Sequence, residues 1–254
     1  FPTRRSSDLY IDCASRLGFT SVTLFTNGYA STAEQASRWA ASGLTDVLIS
    51  MHGLQEGHDK SVTRPGSFRE AIEALHNYLA CGIAVSVNSC LTRYNLEEIP
   101  GLQRFLASYP LCTHSIAFPE WSGNALANRA ELLTYAEVKE HALLLLQDRN
   151  PFTRYDNIPF CVLAHSPAEQ LQIEPTMLLA DEDRISGLSD ERLFPGACSN
   201  GECHYRAVCP GIERNYALVT GTDELEPIAN EFSARHAPSK GKVQLRPRPA
   251  SPKI

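Results

Sequence analysis

Apolar residues recur along this chain in two alternating rhythms. Short runs rich in β-branched residues, SVTLF at 21–25, DVLIS at 46–50, AVSVNSCL at 84–91 and SIAF at 115–118, have the length and composition of strands. After each comes a helix-start signal. Ser31 with Glu34, Ser67 with Glu70, Asn95 with Glu98 and Thr134 with Glu137 place a short polar side chain three residues ahead of a carboxylate, the spacing of a capping box. Gly18, Gly43 and Gly82 stand where helices should stop. The pattern predicts four strands, each followed by a capped helix, with the end of an earlier helix at YIDCASRLGF.

Strict alternation of strand and helix implies parallel strands joined by right-handed crossovers, in a barrel or an open doubly wound sheet. In both architectures ligands gather at the carboxyl ends of the strands. Reading those ends gives Thr26 and Asn27, then Ser50 and His52 with Glu56, His58 and Asp59 in the loop beyond, then Asn88, and finally Phe118, Pro119 and Glu120. Taken singly these residues have ordinary explanations, since Asn27-Gly28 is turn chemistry and His58-Asp59 suits a solvated loop. Polar groups at four successive strand ends point to a ligand.

The composition suits a globular protein able to bury a core: 43% of the 254 residues are hydrophobic and the net charge is -6. Nothing marks a nucleic-acid partner, and the longest apolar runs, such as ALLLLQ at 142–147, are far too short to span a membrane. A cytoplasmic location is expected. Residues 229–254 read as a disordered basic tail, with five Lys or Arg, four Pro and no acid from His236 onward. At the other end, FPTRRSSDL is what one reading frame of a widely used sequencing-library adapter encodes. Residues 1–9 are therefore read as a non-native scar, and the absence of an initiator methionine, Met51 and Met177 being the only two, suggests a gene truncated at its 5' end.

Eight cysteines divide into two groups. Cys13, Cys81, Cys90 and Cys112 are scattered singly and read as small core hydrophobes. Cys198, Cys203 and Cys209 crowd into CSNGECHYRAVCPGIERNY, with Cys161 in NIPFCVLA as the natural fourth member. Clustered thiolates select iron-sulfur clusters or zinc over hard cations. A disulfide with one free thiol and a structural zinc site are the alternatives to an iron-sulfur centre.

The order TNG, then ISMHG with a following HD and TRPGSF, then VNSCLTRYN, then FPEWSGNA, resembles strands three to six of a radical S-adenosylmethionine enzyme. The block from the clustered cysteines through GIERNY to GTDELEPI is similar to the auxiliary-cluster (SPASM or twitch-like) extensions of that superfamily. The resemblance covers about residues 10–228. It implies an α/β fold, a partial six-stranded β/α barrel at 10–149 lacking its first strands, followed by a small Cys-rich extension at 150–228. It also implies two cofactors, S-adenosylmethionine and a 4Fe-4S cluster that reductively cleaves it to a 5'-deoxyadenosyl radical, which takes a hydrogen atom from substrate. Thr26, Asn27, Ser50, His52 and Asn88 would line the cofactor cavity, with Phe118 and Pro119 near adenine. Cys161, Cys198, Cys203 and Cys209 would hold an auxiliary iron-sulfur cluster. The implied partners are a peptide substrate and an electron donor such as flavodoxin or ferredoxin. The chain departs from the family in having no C-x3-C-x2-C loop for the catalytic cluster and no glycine-rich segment after a second strand. It is therefore expected to be unable to cleave S-adenosylmethionine alone, and to be poorly soluble because its first strand is left with an open edge. Two other function classes remain. One is a metal-dependent barrel hydrolase or lyase built on His52, Glu56, His58 and Asp59, and the other is a zinc-stabilised binding module.

Overall fold

All four predicted strands form, and a fifth joins them. The computed structural model describes residues 6–148, 150–164, 192–193, 203 and 209–225. In chain order its elements are α1 (Ser6–Arg16), β1 (Thr23–Thr26), α2 (Ala33–Ala41), β2 (Asp46–Ser50), α3 (Gln55–Ser61), α4 (Ser67–Ala80), β3 (Ala84–Cys90), α5 (Ile99–Leu106), β4 (His114–Ala117), α6 (Gly123–Ala127), α7 (Tyr135–Glu140), α8 (Ala142–Gln147), β5 (Thr153–Asp156) and α9 (Phe160–Ala164). Beyond these, β6 (Arg192–Leu193) pairs antiparallel with β7 (Ile212–Glu213), which leads into α10 (Arg214–Thr220).

The five-stranded sheet is parallel throughout and its order is β1-β2-β3-β4-β5. A doubly wound sheet reverses its strand order at a switch point, and this one does not. Because each strand is laid beside its predecessor by a crossover of the same hand, the helices collect on one face. Val47, Ile49, Met51, Val85 and Val87 face that layer and pack with Ala36 and Trp39 of α2, Ala71, Leu75 and Tyr78 of α4, and Leu102 and Leu106 of α5. A second cluster gathers Ile116, Phe118 and Tyr155 with side chains from α7, α8, α9 and α10. The other face of the sheet carries Leu48, Ser50, Ser86, Asn88, Cys90, Ala117, Arg154 and Asp156, all half-buried and none in either core cluster.

Strand β5 escaped the sequence pattern because TRYD holds one apolar residue between charged ones, and what makes it a strand is its parallel pairing with β4. Among the predicted caps, only Thr134 with Glu137 forms a capping box. Helix α2 is capped one residue later than expected, by Thr32, whose hydroxyl accepts from the Gln35 amide at 3.2 Å. Ser67 lies inside α4 behind Gly66, which takes the left-handed conformation, and the cap comes instead from Asp59. The Asp59 carboxylate accepts from the Gly66 amide at 2.6 Å, the Ser67 hydroxyl at 2.8 Å and the Phe68 amide at 2.9 Å. Glu70 turns away to a paired interaction with Arg64. Asn95 and Glu98 do not cap each other either: Asn95 ties Thr92 to Cys90, and Glu98 reaches the loop after β2.

Helix α1 begins at Ser6, and within it Asp8 is buried, accepting from the Trp39 indole and pairing with Arg38 at 3.3 Å. One further expectation is corrected. Cys13 and Cys112, expected in the core, are exposed, whereas Cys81 and Cys90 are half-buried.

Candidate functional site

The carboxyl ends of the strands meet on the open face of the sheet, and strand register decides which side chains share it. Ser50 of β2 stands level with Asn88 of β3, Asn88 with Ser115 of β4, and Ser115 with Arg154 of β5. One step further toward the carboxyl end, Cys90, Ala117 and Asp156 form the next row. Four adjacent strands thus present a row of hydroxyl, amide, hydroxyl and guanidinium.

Above Ser50 the chain turns into the loop that carries His52. Its Nδ1 accepts from the Cys90 amide at 3.0 Å, and its own amide donates to His58 Nδ1 at 2.9 Å, with the two rings stacked 5.7 Å apart. Both rings accept at Nδ1, so each neutral imidazole carries its proton on Nε2. Burial, reinforced by the neighbouring His58, pushes His52 down to about 4, so it is neutral at physiological pH. Burial also lowers His58, against the opposing pull of Asp59. Burial and the charge of Glu120 push the Cys90 thiol up to about 11, which keeps it protonated and removes it as a thiolate ligand. Glu98 locks the same loop, accepting from the Leu54 amide at 2.8 Å and the Gly57 amide at 3.0 Å. A Cβ on Gly57 would sit 2.4 Å from Glu98 Oε2, which is why that position is glycine.

The other predicted residues fall elsewhere. Thr26 stands level with Ile49, on the helix-facing side, and its hydroxyl accepts from the Gly28 amide at 3.1 Å. The Asn27 side chain accepts from the Tyr29 amide at 3.0 Å, closing the TNG turn. The backbone at Gly28 has φ of 79°, and a Cβ there would lie 2.8 Å from Ala71 Cα, so both the turn and α4 require glycine. Phe118 is buried and its ring stacks on Tyr135 at 4.1 Å, with Tyr216 at its edge; Pro119 beside it is buried too. The hydrolase residues do not converge. Glu56 is exposed and paired with Lys60, Asp59 caps α4, and no three His, Cys, Asp or Glu gather as a metal site among the described residues.

Of the clustered cysteines, Cys198 lies outside the described residues. Cys161 and Cys209 are half-buried and pack against the same apolar cluster, and the Gly211 amide donates to Cys209 Sγ at 3.4 Å. Cys203 is also half-buried. The GIERNY stretch docks firmly. Buried Glu213 caps α10 through the amides of Asn215 and Tyr216 and also accepts from the Trp121 amide at 3.3 Å. The Tyr216 hydroxyl accepts from the Tyr135 amide at 2.9 Å and donates to Glu224. A cleft of about 430 Å³ is lined by charged groups that already have partners, Glu56 with Lys60, Arg93 with Glu137, and Glu98 with the Leu54 and Gly57 amides.

Sequence reasoning missed Ser115, Arg154 and Asp156. Its signal was the residue at the end of each strand, whereas register places side chains from mid-strand on the same face. Glu98 and Glu213 were also missed, since a carboxylate that gathers distant backbone amides leaves no local pattern.

No protein-family model matches the chain. It is similar to the mycofactocin maturase MftC of Mycobacterium tuberculosis, with 34% identity over 85 residues, 33% of this chain and 22% of that protein. It is 32% identical over 77 residues to the Fe-coproporphyrin III synthase of Methanosarcina barkeri, covering 30% of this chain and 19% of the relative. With the PqqA peptide cyclase of Bradyrhizobium diazoefficiens it shares 28% identity over 128 residues, 50% of this chain and 34% of the relative. The matched stretches span about a fifth to a third of these relatives. Motif order, a parallel sheet with polar carboxyl ends and these relatives point the same way: the chain's homologues are radical S-adenosylmethionine maturases, which are enzymes, matched at low identity and over part of their length.

Proposed function

We propose that this protein is the substrate-side part of a radical S-adenosylmethionine maturase that modifies a peptide. The observation that carries this reading is the alignment of Ser50 and Asn88 on the open face of a singly wound parallel sheet, in a chain related to a mycofactocin maturase and a peptide cyclase. On this reading the five strands are wall of a partial barrel spanning residues 10–149 and continuing into β5, and 150–228 is the auxiliary-cluster extension. S-adenosylmethionine, with its 4Fe-4S cluster, supplies a radical able to take hydrogen from an unactivated carbon. The residues present fit the cofactor: Ser50 and Asn88 offer a hydroxyl and an amide to its polar groups, and His52, held neutral, offers an Nε2 donor. Thr26 and Asn27 contribute through the turn they shape, and Phe118 and Pro119 through the packing that fixes the end of β4.

The auxiliary centre would be held by Cys161, Cys198, Cys203 and Cys209. Supporting it are the softness of a four-thiolate set and the amide that already points at Cys209 Sγ, the type of hydrogen bond that tunes iron-sulfur centres. The chain contains no C-x3-C-x2-C, so it does not cleave S-adenosylmethionine unaided; a flavodoxin or ferredoxin would feed electrons to the complete enzyme.

Anaerobic reconstitution tests the reading. Roughly four irons per chain with charge-transfer absorbance are expected, falling on Cys203→Ala. Calorimetry should detect S-adenosylhomocysteine binding that weakens about tenfold or more in the Ser50→Ala, Asn88→Ala double variant. Zinc in place of iron, with no nucleoside binding, would favour the binding-module reading instead. Release of 5'-deoxyadenosine by the isolated chain under a strong reductant would overturn the inability assigned to it.

A further inference from the structure

Strands β4 and β5 bring to the open face three polar groups that the cofactor reading leaves unused. Ser115 of β4 is 2% exposed, yet its side chain lies on this face beside Arg154. The Ser115 hydroxyl donates to Asp156 Oδ2. The same oxygen accepts from Arg154 Nε at 3.2 Å, and Arg154 Nη2 lies 3.1 Å from it as an ion pair. Both hydrogen bonds and the ion pair converge on one carboxylate oxygen. Neither Asp156 Oδ1 nor Arg154 Nη1 takes part in these contacts, and each could make a further hydrogen bond.

What remains is a donor next to an acceptor, held by a carboxylate that is 19% exposed and a guanidinium that is 34% exposed. The pair is neutral overall, so an isolated cation or anion would gain from one member what it lost to the other. A group that is itself neutral and carries an acceptor beside a donor fits better, and the commonest such group in a polypeptide is the peptide amide. Its carbonyl would accept from Arg154 Nη1 and its N–H donate to Asp156 Oδ1. Both bonds are charge-assisted and partly shielded from water, where they are strongest.

We propose that Arg154 and Asp156, braced by Ser115, form a peptide-amide clamp that positions a polypeptide substrate on the open face, two strands away from the Ser50–Asn88 pair. The inference rests on the peptide-maturase reading and assigns its substrate side to β5. Arg154 and Asp156 are positioning residues for the substrate and take no part in electron transfer.

The test uses the 254-residue chain and N-acetyl-trialanine-N-methylamide as probe, with binding read by saturation-transfer NMR on the peptide and calorimetric titration with S-adenosylhomocysteine in parallel. Saturable peptide binding is expected, with no competition from sodium acetate or methylammonium chloride at equal concentration. Asp156→Asn, and separately Arg154→Lys, which keeps the ion pair but not Nη1, should each weaken the peptide by about tenfold while nucleoside affinity stays within about twofold. Unchanged circular dichroism establishes that each variant is folded. The proposal is overturned if the peptide does not saturate the wild-type chain, if both variants bind it normally, or if acetate competes with it. It is also overturned if the variants lose the nucleoside and keep the peptide, which would move Arg154 and Asp156 to the cofactor side. Failure of the wild-type chain to bind S-adenosylhomocysteine while the peptide responds as described would count against the cofactor reading and leave the clamp standing.

Discussion

His114 shows how much one side chain can depend on its burial. It is fully buried at the start of β4, and its Nε2 lies 2.9 Å from the Ser89 hydroxyl, which donates to the Met51 carbonyl at 2.5 Å. With its proton spent there, Ser89 must accept from His114, so Nε2 carries a proton; Nδ1 is buried with no partner, where a second proton would find no acceptor, and the neutral ring is favoured. Burial pushes its pKa down to about 4, whereas an unfolded histidine titrates near 6.5. Between those values the unfolded chain holds more protons, so stability is full above pH 6.5 and falls as pH drops toward 4, by about 3 kcal/mol from this residue. Urea melts of wild type and His114→Leu across pH 4–7 should show a flatter pH dependence in the variant; equal slopes would refute the assignment. His52 acts in the same direction and should leave a residual slope. Nothing in the sequence around His114 distinguishes it from the exposed His76 on α4, because depth in the core is set by the layer laid over it.

Helix starts were legible where cap and partner are neighbours, as at Thr134 and Glu137, and illegible where the cap is imported. Helix α4 is the plain case: its own N-cap is a glycine, and Asp59, from α3, supplies the acceptor. Burial works against the Asp59 charge, but the amides of Phe68 and Gly66 and the Ser67 hydroxyl outweigh it and hold the carboxyl below its usual range. Asp59→Ala should therefore cost about 1–2 kcal/mol and lower the melting temperature by a few degrees, with Asp59→Asn in between. A melt unchanged in Asp59→Ala would mean that the helix start is held by packing alone. The strand β5 belongs to the same class. Its four residues carry too little apolar pattern to announce a strand, and the hydrogen-bonding edge of β4 makes them one.

For the molecule as a whole, the described sheet ends at β1, which pairs with β2 alone among the described strands. Phe25 in that strand is 70% exposed, and Leu17, Phe19 and Tyr29 are exposed around it. A strand edge flanked by apolar side chains invites association. Phe25→Lys should reduce light scattering of the concentrated chain and leave its circular dichroism unchanged; scattering that persists would place the association elsewhere. The alternation of short β-branched runs with capped helical segments was sufficient to specify a parallel α/β protein, and the ordered motifs to point to its radical S-adenosylmethionine homologues, because both are written in residues close together along the chain. Which face each polar residue occupies was not. Ser50 and Asn88 came together as expected, but Thr26 went to the helix side, Phe118 into the core, and Ser115, Arg154 and Asp156 onto the open face. Those outcomes follow from register and from the helix layer on one side of the sheet, and both depend on contacts between residues far apart in sequence.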